Sequence, residues 1–311
     1  MPPAEPRTSH RSSARGIRIA ALFVYPIKST RGVSVGEARV EPRGLAGDRR
    51  LMLVDAAGEF VTARKFPGLL RVEAQLEAEG LTLRAPGRPE LRLGPGGGAV
   101  EELEVRVWAD RCRAEAVGAE ADAWFRALLG REVRLVRLPE RHRRPARGAG
   151  VREGDEVSFA DALPALLVNL ASVREVEERV GAALGAERFR PNLVVDGAPP
   201  FAEDNWREIR VGGAEGVRFE VARPCPRCGL ITVDPETARI HPRGEPLRTL
   251  ATFRRGPSGD VLFGQNLVPR GTGTIRVGDP VEVLREEAVP GPRPELRWRR
   301  AQPGGAARGR T

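Results

Sequence analysis

Residues 69–86, LLRVEAQLEAEGLTLRAP, carry the pattern that decides the fold class. Apolar and polar residues alternate along the segment on both sides of Glu79-Gly80. Successive side chains of a strand point to opposite faces of a sheet, so this alternation predicts strands, and the central pair predicts the turn of a hairpin. The segment therefore indicates two antiparallel strands.

Comparable patterns extend in both directions along the chain. Short apolar runs broken by Gly, Pro and Asp predict strands at 17–28, 37–42, 50–64 and 132–138, and 100–117 resembles a second hairpin. Beyond a polar stretch, strands are predicted at 164–169, 192–197, 208–213 and 216–223, and 274–284 predicts a closing hairpin with a Gly-Asp turn. Apolar residues at helical spacing predict helices at 119–130, 171–185 and 246–255.

These elements predict a mainly β (α+β) fold with two β-barrel-like domains and a few peripheral helices. Strands do not alternate with helices, which argues against a doubly wound parallel sheet. We expect a disordered tail at 1–16, an N-terminal β-barrel domain at 17–138, a linker or surface loop at 139–156, a second domain at 157–286 and a basic disordered tail at 287–311.

The composition restricts the class of protein. Apolar residues make up 41% of the 311, enough for a buried core, and no apolar run approaches the length needed to cross a bilayer. The N-terminus lacks the apolar stretch of a secretory signal, so we expect a cytoplasmic protein without a membrane span. Three cysteines do not make a disulfide framework.

The positive charge is concentrated at the ends of the chain. Six of the nine net formal charges fall within 1–16 and 287–311, which are rich in Pro, Gly and Arg. Such tails are typically solvated and disordered. We therefore expect no specific nucleic-acid partner, and weak binding of polyanions by the tails remains an alternative.

Several common catalytic motifs are absent from the sequence. The chain contains no GxxxxGK[ST], GxSxG or HExxH motif, and it has only three histidines. A P-loop, a nucleophile elbow and a zincin site are therefore excluded, and a site rich in histidine ligands is disfavoured.

RPCPRCGLITVDPET, residues 223–237, holds two of the three cysteines. The spacing of Cys225 and Cys228 suits half a zinc site, a redox dithiol, or one thiolate that binds a soft metal. Cys112 is isolated and supplies no second CxxC, and residues 229–237 predict a strand and turn, not the helix of a thioredoxin-like motif. The neighbouring arginines, Arg223 and Arg227, favour a thiolate.

Basic and hydrogen-bonding side chains recur at the ends of predicted strands, where loops build sites. Only two of the 51 basic residues are lysines, which suggests that a compact ammonium is needed where they occur. The candidates are Lys28, Ser29, Arg49, Arg50, Arg64, Lys65, Arg190 and Asn192. Together they predict a pocket for an anionic ligand such as a phosphorylated cofactor.

Seven motifs in this order resemble a known family: YPIKS, GLAGDRR, FVTARK, RFRPNLVVDG, FAEDNW, RCGLITVDPETA and LFGQNLVPRGTGTIRVGDPVEVL. From about residue 17 to residue 286 the chain resembles MOSC domain proteins that carry an N-terminal MOSC β-barrel. It is similar to the mitochondrial amidoxime-reducing components and their bacterial counterparts. The resemblance implies a molybdenum-molybdopterin cofactor.

The resemblance also implies roles for individual residues. Cys228 matches the catalytic cysteine that binds molybdenum, which leaves Cys225 as a bystander. Positions that match cofactor contacts are Lys28, Ser29, Arg49, Arg190, Asn192, Pro226, Arg227 and Asn266. The chain departs from relatives at Asn266, where they carry an aromatic residue, and at Ala162 and Leu163, where some carry hydroxyls; backbone contacts there remain an alternative.

The activity implied by the resemblance is reduction of N-hydroxylated compounds such as amidoximes and hydroxylamines. No cysteines remain for an iron–sulfur domain, so electrons would come from a separate ferredoxin- or cytochrome-like protein and its reductase. The alternative is a molybdenum cofactor carrier, or a sulfur-transfer module using a cysteine persulfide. We also expect pyridoxal phosphate as a term associated with the family. The sequence does not predict the oligomeric state.

Overall fold

The computed structural model describes residues 16–78, 80–94 and 101–288. The strands are β1 Arg18–Val24, β2 Val33–Val35, β3 Glu37–Glu41, β4 Gly44–Leu45, β5 Leu51–Val54, β6 Glu73–Glu77, β7 Gly80–Arg84, β8 Leu91–Leu93, β9 Glu102–Val107, β10 Asp110–Ala116, β11 Arg134–Arg137, β12 Ala165–Asn169, β13 Leu193–Asp196, β14 Trp206–Val211, β15 Val217–Pro226, β16 Leu262–Pro269, β17 Gly273–Arg276 and β18 Val281–Glu286. The α-helices are α1 Ala119–Leu129, α2 Leu170–Val180 and α3 Leu247–Phe253, and short 3₁₀ turns lie at Pro67–Arg71, Ala186–Phe189, Ala202–Asp204 and Gly229–Thr232.

The largest sheet combines strands from both halves of the chain. Its order is β18-β14-β15-β16-β12-β13-β1-β2, with β1 antiparallel to β13 and β12 parallel to β13. A smaller sheet, β17-β3-β4, packs against it. Their shared core includes Ile19, Leu22, Val40, Trp206 and Phe219, all at most 1% exposed. The hydrophobic core therefore joins the two halves.

The rest of the N-terminal half forms two further sheets. Their orders are β5-β11-β10-β9 and β6-β7-β8. Helix α1 buries Trp124 and Phe125 in a core that also contains Leu53, Leu83 and Leu135. Gly130 ends the helix with φ 66°, a left-handed conformation that glycine adopts without a steric cost.

The predicted fold class is confirmed. Strands dominate the described residues in curled sheets and the helices are few. The alternating segment at 69–86 forms the β6–β7 hairpin, in which Glu77 pairs with Gly80. The second predicted hairpin forms from β9 and β10, and the three predicted helices are present, although α2 ends at Val180 and not at residue 185.

Two local predictions were wrong. Residues 274–284 do not form a hairpin, because β17 pairs with β3 and β18 pairs with β14, so the turn at Gly278-Asp279 carries the chain from one sheet to another. The residues after Cys228 form a 3₁₀ turn, Gly229–Thr232, in place of a strand. In the first case, pairing partners distant in sequence decide the outcome.

The predicted division of the chain into two domains at 139–156 stays a prediction. The largest sheet takes strands from both sides of that segment. The predicted tails, 1–16 and 287–311, lie outside the described residues except for Gly16, Glu287 and Ala288. No helix within the described ranges is long and apolar enough to cross a membrane.

Candidate functional site

A cavity of about 480 Å³ is lined by residues from both halves of the chain. All nine residues predicted as the site lie on its wall: Lys28, Ser29, Arg49, Arg190, Asn192, Pro226, Arg227, Cys228 and Asn266. Cys225, Ala162, Leu163 and Arg64 also line it, whereas Arg50 and Lys65 do not. Arg50 pairs with Glu41 instead. The assignment of the nine as cofactor contacts or metal ligand stays a prediction.

Strained backbone is concentrated at this cavity. Among the described residues, six non-glycine residues have positive φ, and four of them line the cavity: Ser29 at 73°, Arg49 at 48°, Trp108 at 57° and Arg190 at 58°. A left-handed conformation costs a non-glycine residue roughly 1–3 kcal/mol, and such residues cluster at functional sites. The fold thus tolerates strain to aim these side chains.

Two arginines stack on the only tyrosine of the chain. The guanidinium carbons of Arg49 and Arg190 lie 4.4 and 4.3 Å from the ring centroid of Tyr25. The Tyr25 hydroxyl donates to the carbonyl of Pro191 at 3.1 Å, and burial raises its pKa above the usual range. This packing fixes both guanidinium groups beside the cavity.

The two arginines differ in their electrostatic partners. Burial opposes the charge of Arg49, but the Asp48 carboxylate, 2.6 Å from its Nη1, holds its pKa above the usual value. Burial, with a contribution from Arg49, lowers the pKa of Arg190 to about 10. Arg190 donates to the carbonyl of Thr30 and forms no ion pair with any described carboxylate. Among the described residues, its positive charge is therefore not balanced by a direct ion pair.

The side-chain amide of Asn192 forms four hydrogen bonds to neighbouring segments of the chain. Its Nδ2 donates to Asp48 and to the carbonyl of Phe23, and its Oδ1 accepts from Arg49 and from the backbone of Leu166, all at 3.0–3.2 Å. These four bonds use the full capacity of the amide. The geometry therefore favours a role for Asn192 in positioning Arg49 and Asp48.

Lys28 is buried and has a neighbouring carboxylate. Its Nζ donates to the carbonyl of Phe159 at 2.8 Å and forms a short ion pair with Asp161. Burial lowers the pKa of Lys28, and Asp161 opposes that shift. For Asp161, burial is outweighed by Lys28, by the indole N–H of Trp108 at 3.1 Å and by Arg64, so its pKa lies well below the usual range.

The two cysteines of residues 223–237 face the cavity as free thiols. Nη1 of Arg227 lies 3.2 Å from the sulfur of Cys225, and its Nη2 donates to the carbonyl of Phe189 at 2.7 Å. The sulfur of Cys228 has no hydrogen-bond partner among the described residues. Within those ranges, no group of three or more His, Cys, Asp and Glu residues is placed to hold a metal ion.

Backbone packing places the remaining wall of the cavity. Gly264 has φ 75°, and a Cβ there would lie 2.8 Å from the carbonyl oxygen of Leu167, so only glycine lets β16 approach β12 and pair Asn266 with Leu166. Gly44 approaches the carbonyl of Pro164 in the same way and supports the loop that holds Ala162 and Leu163.

The residues present fit a phosphorylated cofactor. Five basic side chains and two acidic ones line the cavity. Within the described part of the chain, Arg64, Arg190 and Arg227 form no ion pair, Nε of Arg227 is buried without a partner, and the Ser29 hydroxyl makes no hydrogen bond. Unpaired guanidinium groups and free donors of this kind bind phosphate oxygens well.

Trp108 and Asp161 are among the lining residues that sequence reasoning missed. Trp108, at the turn of the β9–β10 hairpin, and Asp161 both line the cavity. A tryptophan in a two-residue hairpin turn, where Asn and Gly are favoured, is a signal that points to Trp108. Asp161 follows the 139–156 segment and has no comparable signal.

Comparison with known proteins places the chain in a family. The MOSC N-terminal beta barrel domain matches residues 16–132, and the MOSC domain matches residues 154–282. Mitochondrial amidoxime-reducing component 1 of Mus musculus is 37% identical over 298 residues, covering 90% of this chain and 86% of that protein. The chain belongs to the MOSC domain family.

Other MOSC relatives agree with this assignment. The Homo sapiens mitochondrial amidoxime-reducing component 1 is 34% identical, with 86% of this chain and 82% of that protein covered. A molybdenum cofactor sulfurase of Oryza sativa subsp. japonica is 30% identical over 82% of this chain but only 33% of its own length. The family resemblance inferred from the motifs is confirmed, and the names of these relatives support a function related to the molybdenum cofactor.

Two expectations gain no support from these MOSC relatives. The amidoxime-reducing components carry the word mitochondrial in their names, so a cytoplasmic location for this chain stays a prediction. The names of the mouse, human and rice relatives make no mention of pyridoxal phosphate.

Proposed function

We propose that the protein is a molybdenum-cofactor-dependent oxidoreductase that reduces N-hydroxylated compounds such as amidoximes and hydroxylamines. The observation that carries the proposal is the cavity itself, in which the free thiol of Cys228 shares one wall with unpaired cationic groups. Relatives named amidoxime-reducing components support the substrate class. When bound, molybdenum-molybdopterin would supply two-electron chemistry and accept the oxygen of the N–OH group.

Residues from both halves of the chain would hold the cofactor. Lys28, Ser29, Arg49 and Arg190 supply positive charge and hydrogen-bond donors for the phosphate and the pterin ring system. The guanidinium of Arg227 contacts the sulfur of Cys225 and the carbonyl of Phe189, and its buried Nε has no hydrogen-bond partner among the described residues. Asn266 and Pro226 complete the wall on the strands β16 and β15.

Cys228 supplies the metal ligand in this proposal. A thiolate is the form that binds a soft metal, and a cofactor that brings its own sulfur ligands needs only one from the protein. The sulfur of Cys228, which has no hydrogen-bond partner among the described residues, meets this requirement. The sulfur of Cys225 instead contacts Arg227, and Cys225 packs against a hydrophobic cluster that includes Val173 and Val176 of α2.

Electrons come from a separate donor protein in this proposal. Among the described residues, the third cysteine, Cys112, lies on β10 away from the cavity. The cysteines therefore do not supply a set of ligands for an iron–sulfur cluster. A ferredoxin- or cytochrome-like protein and its reductase would supply two electrons for each substrate molecule.

The test compares wild type with Cys228→Ala and Cys225→Ala after expression in a host that makes the cofactor. We expect wild type and Cys225→Ala to reduce benzamidoxime to benzamidine with a chemical electron donor, and Cys228→Ala to show no turnover. Metal analysis and the X-ray absorption spectrum should show loss of one sulfur ligand in Cys228→Ala alone.

Three outcomes would contradict the proposal. Wild type without molybdenum and pterin would exclude the enzyme. Pterin content without turnover would favour the alternative, a cofactor carrier or a persulfide-based sulfur-transfer module. Loss of the sulfur ligand in Cys225→Ala alone would assign the metal to the other cysteine.

A further inference from the structure

We propose that Trp108, together with Asp161, forms a specificity subsite for the planar aromatic group and the adjoining N–H donor of the substrate. The inference rests on the proposed function and deepens it, because it names a preference among N-hydroxylated compounds. Neither residue belongs to the set that the family motifs predicted.

The first argument is the position of Trp108 at the rim of the cavity. Its side chain is 45% exposed, whereas Lys28, Ser29 and Asn266 on the same wall are only 4–6% exposed. A substrate that enters from solvent therefore meets the indole before it reaches the buried groups. Large exposed apolar side chains beside a cavity commonly mark binding sites.

The second argument is that the indole is held rigidly. It packs against Phe60 at 5.0 Å between ring centroids, Arg64 stacks at 4.4 Å from the ring, and Nε1 donates to Oδ1 of Asp161 at 3.1 Å. Its backbone adopts φ 57°, which is strained for a tryptophan. Three contacts and a strained backbone hold one ring at the mouth, as expected of a preformed platform.

The third argument is the unused acceptor of Asp161. Both Lys28 and Trp108 donate to its Oδ1, and Oδ2 has no hydrogen-bond partner among the described residues. The side chain is 56% exposed, and Asp161 lines the cavity. An ionised carboxylate accepts about four hydrogen bonds, so Oδ2 is available to an incoming N–H group.

These features select one kind of ligand. A ring that lies on the indole gains stacking energy, and an amino group attached through a planar carbon donates to Oδ2. An aromatic amidoxime, or the amidine formed from it, carries both features in one plane. An aliphatic amidoxime keeps only the hydrogen bond.

The experiment measures ligand binding to the cofactor-loaded protein. Calorimetry gives the affinities of benzamidine and acetamidine for wild type, Trp108→Ala, Trp108→Phe, Asp161→Asn and the control Arg111→Ala. Arg111 lies on the same hairpin and pairs with Glu104 at the surface, away from the cavity. Tryptophan fluorescence supplies a second readout, because Trp108→Phe separates the signal of Trp108 from that of the other three tryptophans, Trp124, Trp206 and Trp298.

We expect Trp108→Ala to weaken benzamidine binding on the order of tenfold and acetamidine binding by less than threefold. Asp161→Asn should weaken both ligands. Benzamidine should quench the fluorescence of wild type and Arg111→Ala but not that of Trp108→Phe, which keeps a ring and most of the affinity. The ratio of kcat/KM for benzamidoxime to that for acetamidoxime should fall about tenfold in Trp108→Ala.

Two results would overturn the inference. An equal loss for both ligands in Trp108→Ala would show that the ring does not select aromatic groups. A lower molybdenum content in Trp108→Ala would show that the indole holds the cofactor and not the substrate. Failure of the proposed function is separate, because it appears as absence of cofactor or turnover in wild type, whereas the amidine affinities compare variants directly.

Discussion

Arg190 is a single side chain that we expect to affect both the stability of the fold and the binding of an anionic cofactor. It stacks on Tyr25, burial lowers its pKa to about 10, and it forms no ion pair with a described carboxylate. Its neighbour Arg188 has the opposite arrangement, since its guanidinium lies 3.0 Å from Asp234. A buried cation without a counter-ion costs stability, whereas a bound phosphate would turn that cost into affinity.

We therefore predict opposite outcomes for these two arginines. Arg190→Met should leave the free energy of unfolding of the cofactor-free protein unchanged or raise it by up to about 2 kcal/mol, because it removes an unpaired charge. Arg188→Met should lower it by about 1 kcal/mol, because it removes the ion pair with the partly exposed Asp234. Urea unfolding measures both. Molybdenum content should fall only in Arg190→Met.

The contrary result for Arg190→Met is a loss of about 3 kcal/mol or more with unchanged molybdenum content. That would show that the stacking on Tyr25 stabilises the fold and that the charge does not serve an anion.

The Lys28–Asp161 pair predicts a pH dependence of stability. The pKa of Asp161 is lower in the folded protein than in the unfolded chain, so its contribution is fully present above about pH 4, the unfolded value, and is lost as the pH falls further. Asp161→Asn should cost roughly 1 kcal/mol at pH 7, a value reduced by the exposure of the carboxylate. The difference from wild type should shrink between pH 4 and pH 2.5.

Urea midpoints at these pH values check this prediction, with Glu104→Gln as the control at an exposed ion pair. A difference between wild type and Asp161→Asn that stays constant down to pH 2.5 would contradict it.

At this scale the residues singled out from the sequence lie together on the wall of the cavity, whereas its rim was not predicted. Eight of the nine belong to the ordered motifs, Pro226 precedes one of them, and all nine line the cavity. Trp108 and Asp161 meet only because the β9–β10 hairpin folds toward a loop 53 residues later. No local pattern records a contact of that kind.

Among the elements, local chemistry predicted where strands and helices lie but not always what they pair with. The alternation at 69–86 identified a hairpin because both partners lie within one short segment. The Gly278-Asp279 turn has equally good local chemistry, yet β17 and β18 belong to different sheets. Turn residues permit a reversal of the chain, whereas distant partners decide whether the flanking strands pair.

Helix α2 offers a test of how one cap anchors an element. Oδ1 of Asn169 accepts from the backbone of Ala171 at 3.0 Å, and Nδ2 donates to the carbonyl of Pro199 and to Glu203. Asn169→Ala removes the cap and leaves buried acceptors unsatisfied, so we expect a loss of about 2–3 kcal/mol in the free energy of unfolding.

Chemical denaturation of Asn169→Ala measures this loss. Glu178→Ala, on the exposed face of the same helix, is the control and should change stability by about 0.5 kcal/mol or less. A similar small effect for both substitutions would show that the cap does not anchor α2.

On the scale of the whole molecule, the two halves share one structure. The first strand lies inside the sheet built by the second half, and β3 pairs with β17. Ile19 and Leu22 are fully buried in the same core as Trp206 and Phe219. Removal of the N-terminal half would therefore leave β13 as an unpaired edge strand and uncover part of the shared core.

We predict that residues 139–288, expressed alone, do not unfold cooperatively. Trp206 is the only tryptophan of this fragment, so its fluorescence in a urea titration reports directly on the shared core. The chain 16–288, which keeps both halves and omits the tails, should retain a cooperative transition. A cooperative transition in the shorter fragment would show that the second half is an independent unit.

Because β1 pairs with β13, the first strand leaves the ribosome long before its partner exists. Leu22 faces Leu193, about 170 residues later in the chain. At synthesis rates of roughly 5–20 residues per second, β1 waits on the order of 10 to 35 seconds with an apolar face uncovered. The nascent chain is thus exposed to aggregation and to chaperones throughout that interval, and slowing translation between residues 25 and 190 should lower the yield of native protein.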